Sequence, residues 1–311
     1  MTTAVLAMAY GTPSAPDGVL EFYTDVRRGR APNDEQLKDL ERRYQAIGGV
    51  SPLNERTQAQ IAGIQRALDA RAPGQFTVFY GAKHSVPKIE TQIANITAQG
   101  FKEVIGLVLA PHYSVLSVGE YIGRARKAAE EHHLASIFIE RWGSDDTLIE
   151  ALAERLVEAI ETINAISTNL EIVFSAHSLP VRILELGDAY PDELEETARL
   201  VSKRVGLTHY RTGWQSAGRT PEPWLGPDLL ILLGELKEEG FDGVVVCPAG
   251  FTSDHLEVLY DLDIEASARA RELGLAFIRT RSLNDDVLLA DLLSRRIIEA
   301  RKHLHTVQSP E

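Results

Sequence analysis

Short runs of apolar and β-branched residues alternate along the chain with longer stretches in which apolar residues recur every three or four positions. The short runs predict buried strands, and the longer stretches predict amphipathic helices. This alternation is typical of an α/β fold, because parallel strands need crossover helices. The predicted strands are Ala4–Tyr10, Phe76–Gly81, Val104–Ala110, Ser136–Trp142, Glu171–Ala176, His209–Trp214, Gly243–Cys247 and Ala276–Arg279. The predicted helices include Asn54–Ala72, Val118–His133, Thr147–Ala165, Asp192–Val205, Asp228–Gly240 and Asn284–His303.

Each half of the chain contains a copy of a similar short segment. LAMAYGTP (6–13) and VFSAHSLP (173–180) each combine an apolar strand with Ala, a ring side chain, a small residue and Pro. Duplication into two similar lobes would place both rings at the carboxyl ends of strands, where open α/β sheets bind ligands. Coincidence is the alternative, since strand-then-turn chemistry is common. The 311 residues exceed the usual size of one domain. We therefore predict an N-terminal lobe over 1–145, completed by a C-terminal helix over 284–305, and a C-terminal lobe over 146–283.

Charge and cysteine content narrow the class of protein. The formal net charge of −13 argues against a nucleic-acid partner, which needs a basic face. The single cysteine, Cys247, excludes an internal disulfide, a multi-cysteine zinc site and a cysteine-ligated iron–sulfur cluster. The N-terminal apolar run has no basic leader and is far shorter than the ~20 residues of a membrane span. These features predict a cytoplasmic protein.

Three acidic residues follow the predicted strand Gly243–Cys247 at regular spacing. Glu257, Asp261 and Glu265 are separated by four residues each, so that on an α-helix they would form a stripe about 12 Å long. Such a stripe can bind hard or borderline cations or pass protons. The alternative is a capping box formed by Asp254 and Glu257 on a solvated helix face. The spacing alone leaves both interpretations open.

Ring and basic side chains supply further candidates. His177 ends a predicted strand, and an imidazole with its ordinary pKa near 6.5 can take a proton or bind a metal. A hydrogen-bonded turn residue is the alternative for His177, and packing is the alternative for Tyr10. Arginines and a tyrosine bracket a Gly-rich turn and suit an anionic ligand, although pairing with neighbouring acids is the common alternative. These basic-cluster residues are Arg27, Arg28, Arg30, Arg42, Arg43 and Tyr44.

Seven segments together resemble the ferrochelatase family in order and spacing, over nearly the whole chain. They are MAYGTP (8–13), YTDVRRGRAP (23–32), RYQAIGGVSPL (43–53), APHYS (110–114), SAHSLP (175–180), GWQSAGRTPEPWLGP (213–227) and HLEVLYD (255–261). The resemblance implies two similar doubly wound lobes with a porphyrin cleft between them. It also implies an enzyme of haem biosynthesis that inserts Fe2+ into a porphyrin.

The resemblance assigns roles to individual residues. It makes His177 the catalytic histidine and Glu257 its acidic partner, with Asp261 and Glu265 behind them, and all four can contact an incoming or regulatory cation. Tyr10 would lie on the opposite face of the porphyrin. The residues expected around the propionates are Arg27, Arg28, Arg43, Tyr44, Ser51 and Tyr121.

The tyrosine of MAYGTP and the single cysteine resemble the coproporphyrin branch of the family. Fe2+ is then a substrate, no cofactor is bound permanently, no iron–sulfur cluster is expected, and the product passes to a downstream enzyme of the pathway. The alternatives are a protoporphyrin ferrochelatase, another class II tetrapyrrole chelatase, a non-catalytic haem or porphyrin carrier, and a periplasmic-type two-lobe binding protein.

Overall fold

Two four-stranded parallel sheets with flanking helices form the part of the chain that the structure describes. The structure is a computed structural model, and it describes the backbone of residues 2–307 and the side chains of residues 2–304. In the first sheet the strands follow the order β2-β1-β3-β4, and in the second the order β6-β5-β7-β8. The α/β fold class predicted from the sequence is therefore confirmed. The strands are β1 Thr3–Ala9, β2 Phe76–Ala82, β3 Glu103–Val108, β4 Ala135–Ile139, β5 Leu170–His177, β6 Arg211–Gln215, β7 Gly243–Cys247 and β8 Ala276–Arg279.

Helices connect the strands within both sheets. A 3₁₀ turn covers Pro16–Gly18, and the segment Val258–Ala266 forms a π-helix. None of the helices between Thr2 and Val307 combines the length and the apolar character that crossing a lipid bilayer requires. The α-helices are α1 Val19–Val26, α2 Asp34–Ala46, α3 Leu53–Arg71, α4 Ile89–Ala98, α5 Val118–Glu131, α6 Asp146–Ile163, α7 Arg182–Glu185, α8 Tyr190–Val205, α9 Leu229–Glu238, α10 Ser267–Leu273 and α11 Val287–Val307.

Helices α1, α2, α4, α7 and α10 were not among the sequence predictions. Only Tyr44 of the thirteen residues of α2 is buried, so the apolar periodicity of this helix is weak. Its first turn is fixed instead by a capping box, in which the Asn33 side chain accepts from the Gln36 N–H at 2.8 Å and the Gln36 side chain accepts from the Asn33 N–H at 3.0 Å. This local pattern was present in the sequence as a helix start.

The strand order creates one switch point in each sheet. Strand β1 pairs with β2 on one side and with β3 on the other, and β5 pairs in the same way with β6 and β7. All seven residues of β1 are buried, as expected for a central strand that is covered on both faces. In such sheets the connections on the two sides of the switch point diverge and leave a crevice at the carboxyl ends of the strands. In the second sheet this crevice is bordered by the carboxyl ends of β5 and β7.

Contacts along the chain divide it into two compact units. One unit comprises Met1–Ala110, Ser117–Arg141 and Asn284–Glu311, and the other comprises Pro111–Leu116 and Trp142–Leu283. These bounds differ from the predicted lobes mainly at residues 111–116. That segment belongs to the second unit because it hydrogen-bonds there, through His112 to Thr197, Tyr113 to Glu193 and Ser114 to Asp188.

The core of the second unit also fixes the position of the π-helix. Its residues Val258, Leu262 and Ala266 are fully buried against β5, β7 and α9. Burial of each such side chain contributes about 1.5–3 kcal/mol for the larger residues. Because the buried positions recur every four residues, the acidic positions 257, 261 and 265 are each displaced by one residue from the buried row. The packing of Val258, Leu262 and Ala266 against the core therefore fixes the side of the helix on which Glu257, Asp261 and Glu265 lie.

Candidate active site

His177 and Glu257 form a pair at the switch point of the second sheet. His177 is the last residue of β5, and Glu257 lies at the start of the helical segment that follows β7, the neighbouring strand. The His177 Nε2 atom lies 3.5 Å from the Glu257 Oε1 atom, and each side chain keeps about a third of its surface exposed (33% and 34%). The pair is therefore ordered by the sheet and still accessible to a ligand.

A close backbone approach brings Glu257 to this position. The Gly250 N–H, in the turn after β7, donates a hydrogen bond of 3.1 Å to the Ser175 carbonyl of β5. A Cβ atom on Gly250 would lie 2.5 Å from the Ala176 Cβ, which is too close for any other residue. The turn therefore packs directly on the strand, two residues before His177.

Hydrogen bonds fix the ring orientation of His177. Its Nδ1 lies 2.5 Å from the Ser178 carbonyl oxygen, so Nδ1–H is the donor and Nε2 faces the carboxylate. The buried Tyr190 hydroxyl donates to the His177 carbonyl at 3.0 Å and holds the end of the strand. In the neutral ring, Nε2 therefore carries the lone pair, and it is the nitrogen available to accept a proton.

The pair carries opposite charges at neutral pH. Burial alone would lower the pKa of His177, but the Glu257 carboxylate outweighs burial and raises this pKa from 6.5 to about 9. Burial would raise the pKa of Glu257, but the nearby His177 and His255 rings bring it well below its usual range. The pKa of an isolated imidazole therefore does not apply to His177 in this setting. The resting pair is an imidazolium beside a carboxylate.

His255 is a functional candidate that the sequence analysis missed. Its Nε2 lies 3.4 Å from the Glu257 Oε2, and its Nδ1 lies 3.0 Å from the Ser253 carbonyl. Glu257 is thus flanked by an imidazole at each carboxylate oxygen. Residues two apart do not face each other within a helix, and His255 can do so only because it precedes the helical segment, which begins at residue 256. The His-x-Glu pattern just before a helix was the available signal.

Asp261 and Glu265 lie on a π-helix that begins directly after Glu257, and not on the expected α-helix, so the α-helical length of the stripe does not apply. Asp261 is buried and accepts a hydrogen bond from the Ser216 hydroxyl, which contradicts the interpretation as a fully solvated face. Glu265 is half-buried further along the helix. Among residues 2–304, no group of three or more His, Cys, Asp and Glu side chains is placed to hold a metal ion. The structure thus brings His177 and Glu257 together but does not assemble the four predicted cation-binding residues into a cage.

Tyr10 lies directly after β1, at the switch point of the first sheet. Its side chain is partly exposed, and its ring centroid lies 4.6 Å from that of His84 and 6.1 Å from that of Phe22. His84 Nδ1 and Lys88 Nζ each lie 2.7 Å from the same Asp25 oxygen. Burial outweighs the effect of Asp25 and lowers the pKa of His84 to about 4, so this ring is neutral at physiological pH. The sequence analysis did not find the contact between residues 25 and 84, which are distant along the chain.

The three predicted arginines lie on the first unit and already have protein partners. Arg28 forms an ion pair with Glu120 at 3.1 Å but keeps 81% of its side chain exposed. Arg43 pairs with Asp39 at 3.1 Å. Arg27 donates to the Arg30 carbonyl and lies over the Tyr23 ring. Of these contacts only the Arg28–Glu120 pair is a well-exposed surface ion pair, and pairs of that kind contribute little to stability.

The other residues predicted around the propionates are buried. Tyr44 shares a hydrogen bond of 2.9 Å with Thr12, in the turn after β1. The Ser51 hydroxyl accepts from the Leu53 N–H at the start of α3. Tyr121 lies on α5 under the ammonium group of Lys83, which is 4.8 Å from the ring centroid. These three side chains organise the loops around the first switch point.

The long loop after β6 is fastened within its own unit by its two tryptophans. Trp214 is buried, and its ring lies 5.5 Å from that of Tyr190, centroid to centroid. Trp224 donates from its indole N–H to the Thr220 hydroxyl at 2.9 Å. Both tryptophans therefore stabilise the loop that carries Ser216, the partner of Asp261.

The same two-sheet fold occurs in solved chelatase structures. The sirohydrochlorin chelatase SirB from Bacillus subtilis subspecies spizizenii, in complex with cobalt, matches with a TM-score of 0.60 at 11% identity, covering 97% of this chain and 96% of that chain. CbiX, described as the terminal enzyme for biosynthesis of siroheme in denitrifying bacteria, matches with a TM-score of 0.57 at 13% identity, covering 96% of this chain and 99% of that chain. At these identities the likeness concerns the fold alone.

Sequence comparison gives a more specific relationship. The Ferrochelatase family model matches residues 2–301. A protein from Thermus thermophilus named ferrochelatase is 44% identical, covering 95% of this chain and 98% of the relative. Coproporphyrin III ferrochelatases from Geobacillus thermodenitrificans and Geobacillus kaustophilus are each 40% identical, covering 96% of this chain and 96% of the relative. A match over nearly the full length, reached independently by the family model and by these relatives, shows that the chain belongs to the ferrochelatase family.

Proposed function

We propose that this chain inserts ferrous iron into a porphyrin, with coproporphyrin as the substrate and coprohaem as the product. The observation that carries the proposal is the His177–Glu257 pair at the switch point of the second sheet, in a chain of this family. The choice of coproporphyrin is supported by the names of the relatives at 40% identity. It is also supported by the arginines and tyrosines of the first unit, because coproporphyrin carries four propionates that need such partners.

The reaction exchanges two protons for one metal ion. Fe2+ enters the macrocycle as the two pyrrole N–H protons leave, so the enzyme needs a base near the pyrrole nitrogens and a route for protons to solvent. His177 Nε2 is the proposed acceptor, since its Nδ1 is already committed to the Ser178 carbonyl. The Glu257 carboxylate stabilises the imidazolium that results.

The raised pKa of His177 adds a step before this proton transfer. At neutral pH the ring already holds a proton, so it must lose that proton before it accepts one from a pyrrole. A divalent cation approaching Glu257 would repel the proton on His177 and favour the neutral ring. Arrival of the iron and release of the first proton are therefore coupled in this proposal. His255, which lies 3.4 Å from the second oxygen of Glu257, offers a path for that proton away from the porphyrin.

The remaining predicted residues have supporting roles in the proposal. Asp261 and Glu265 continue the acidic path along the π-helix and attract cations, either the iron or a regulatory ion. Tyr10 contacts the porphyrin. The proposed partners of the propionates are Arg27, Arg28, Arg43, Tyr44, Ser51 and Tyr121. We further propose that the enzyme works in the cytoplasm and passes its product to a later enzyme of haem biosynthesis.

Anaerobic iron insertion, followed in the visible spectrum, tests the proposal. Wild type, His177→Ala and Glu257→Ala are compared with coproporphyrin and protoporphyrin, and porphyrin binding is followed by fluorescence. His303→Ala is the matched control, because this histidine is 68% exposed on α11. We expect faster insertion into coproporphyrin, unchanged activity in the control, and loss of insertion with retained binding in the two site variants. Turnover by His177→Ala would remove this residue from the mechanism, and preference for protoporphyrin would overturn the substrate assignment.

A further inference from the structure

Arg279, at the end of β8, binds two carboxylates that lie on either side of Glu257 along the chain. Its Nε and Nη2 atoms lie 2.6 and 2.9 Å from the two oxygens of Asp263, in the middle of the π-helix. Its Nη2 also lies 3.1 Å from an oxygen of Asp254, in the turn before the helix. Only 15% of the Arg279 side chain is exposed. One guanidinium therefore connects the turn and the helix that carry the candidate active site.

Asp254, in the turn before the helix, is itself held to the sheet by a further contact. The Asp254 carboxylate also accepts a hydrogen bond of 2.8 Å from Ser282, which follows β8. Strand β8 in turn pairs with β7, the strand from which the turn departs. The segment from residue 254 to residue 263 thus leaves the sheet at β7 and is bound back to the sheet through Arg279.

A π-helix needs such support more than an α-helix does. The i→i+5 hydrogen bonding of Val258–Ala266 is rare in proteins and occurs mostly as short segments at functional sites. Nothing in the local sequence favours it over an α-helix, so tertiary contacts must select it. A planar guanidinium that binds Asp263 with two donors fixes direction as well as distance.

We propose that Arg279 is a positioning residue, which holds the π-helical segment in register and thereby keeps Glu257 facing His177. Its effect on turnover rests on the proposed function, whereas its effect on the helix does not. Without Arg279 the segment relaxes toward ordinary helical geometry, and the carboxylate of Glu257 moves relative to the Nε2 of His177.

Arg281 provides a matched control two residues away. It also binds a carboxylate with two donors, to Glu158 on α6 at 2.8 and 2.9 Å, and it is 63% exposed. Its partner lies outside the segment that carries Glu257. Arg281→Gln therefore removes an arginine–carboxylate pair from the same stretch of chain and leaves the pairs of Arg279 with Asp254 and Asp263 in place.

Hydrogen–deuterium exchange of the full-length protein tests the proposal without reference to activity. Peptides covering residues 256–266 should exchange on the order of tenfold faster in Arg279→Gln and Asp263→Asn than in Arg281→Gln. Arg279→Lys should be intermediate, because an ammonium keeps the charge but cannot bind both carboxylates in the same geometry. The double variant Arg279→Gln/Asp263→Asn should be no worse than the more affected single variant, as expected for partners in one contact.

Kinetics supply the second measurement. The turnover of Arg279→Gln should fall roughly tenfold to a hundredfold, the scale expected when a reacting group moves by about 1 Å, with coproporphyrin affinity unchanged. Equal exchange over residues 256–266 in the Arg279 and Arg281 variants would overturn the proposal, as would full turnover in Arg279→Gln. If Arg279→Gln loses its global fold, Asp263→Asn decides, because that carboxylate is 40% exposed and its replacement is mild. Absence of insertion by the wild type would instead refute the proposed function and leave the exchange result to stand alone.

Discussion

Replacing Glu257 by Gln should lower the pKa of His177 from about 9 to below about 7. The change keeps the size of the side chain, removes its charge and replaces one of its two acceptor oxygens by an amide NH2 donor. Burial still disfavours the protonated form of His177 in this variant, but the negative charge that stabilised the imidazolium is gone. The variant should therefore hold a neutral His177 at pH 7.

The distance between the two groups sets the expected size of the effect. Opposite charges about 4 Å apart interact by roughly 4 kcal/mol near a protein surface, which corresponds to about three pH units. The observed separation is 3.5 Å, but each side chain keeps about a third of its surface in solvent, and screening reduces the interaction. We therefore expect the titration midpoint of His177 to fall by more than about two pH units.

Nitrogen NMR of protein labelled with ¹⁵N-histidine measures this midpoint directly and does not require catalysis. The His177 resonances are assigned from their loss in His177→Ala. Asp261→Asn should lower the midpoint by less than Glu257→Gln, since Asp261 is the weaker of the two acidic influences on His177. Glu265→Gln, further along the helix, should leave it unchanged. A His177 midpoint that stays near 9 in Glu257→Gln would refute the ion-pair interpretation.

The His177–Glu257 pair, the Tyr190 hydroxyl and Arg27 each give a further testable outcome. The stabilisation that the raised pKa of His177 contributes is fully present below pH 6.5 and is lost as the pH rises through about 9. The urea concentrations at the unfolding midpoints of wild type and Glu257→Gln should therefore differ most near pH 6 and converge toward pH 10. Tyr190→Phe removes the 3.0 Å hydrogen bond to the His177 carbonyl, so the free energy of unfolding should fall by about 1 kcal/mol in thermal or urea unfolding. Turnover should fall more than porphyrin binding does. An unchanged free energy of unfolding would mean that this bond is not formed in solution. Arg27→Ala should weaken coproporphyrin binding several-fold in fluorescence titrations, whereas His303→Ala should not, and equal affinities would remove Arg27 from the propionate site.

The sequence contained most of the fold and part of the site. All eight strands were predicted, and the central ones were the clearest because continuous apolar runs identify strands buried on both faces. His177 was found because a ring at a strand end stands out, and Glu257 because its segment resembles the family. By contrast, the contact of Asp25 with His84 depends on tertiary structure and leaves no local pattern. The raised pKa of His177 is of the same kind, since it depends on the nearby carboxylate and not on the residue alone.

The π-helix was beyond prediction for a related reason. Its residues also suit an α-helix, and the choice between them depends on contacts such as that of Arg279 with Asp263. The four-residue spacing of the acidic side chains was therefore read correctly from the sequence, but the α-helical stripe inferred from it was wrong. His255 was overlooked because the acidic spacing starts at Glu257, and only the structure shows that the His255 ring lies beside the Glu257 carboxylate.

The π-helical segment also bears on how this stretch of chain tolerates mutation. An α-helix advances by about 100° per residue, so deletion of a single residue between 258 and 266 would restore α-helical bonding while turning everything before the deletion by about that angle. Glu257 would then point away from His177, although no side chain of the pair had been altered. Substitutions on the exposed side of this segment should therefore be tolerated far better than any change in its length, and a single-codon deletion should inactivate the enzyme while leaving a folded protein.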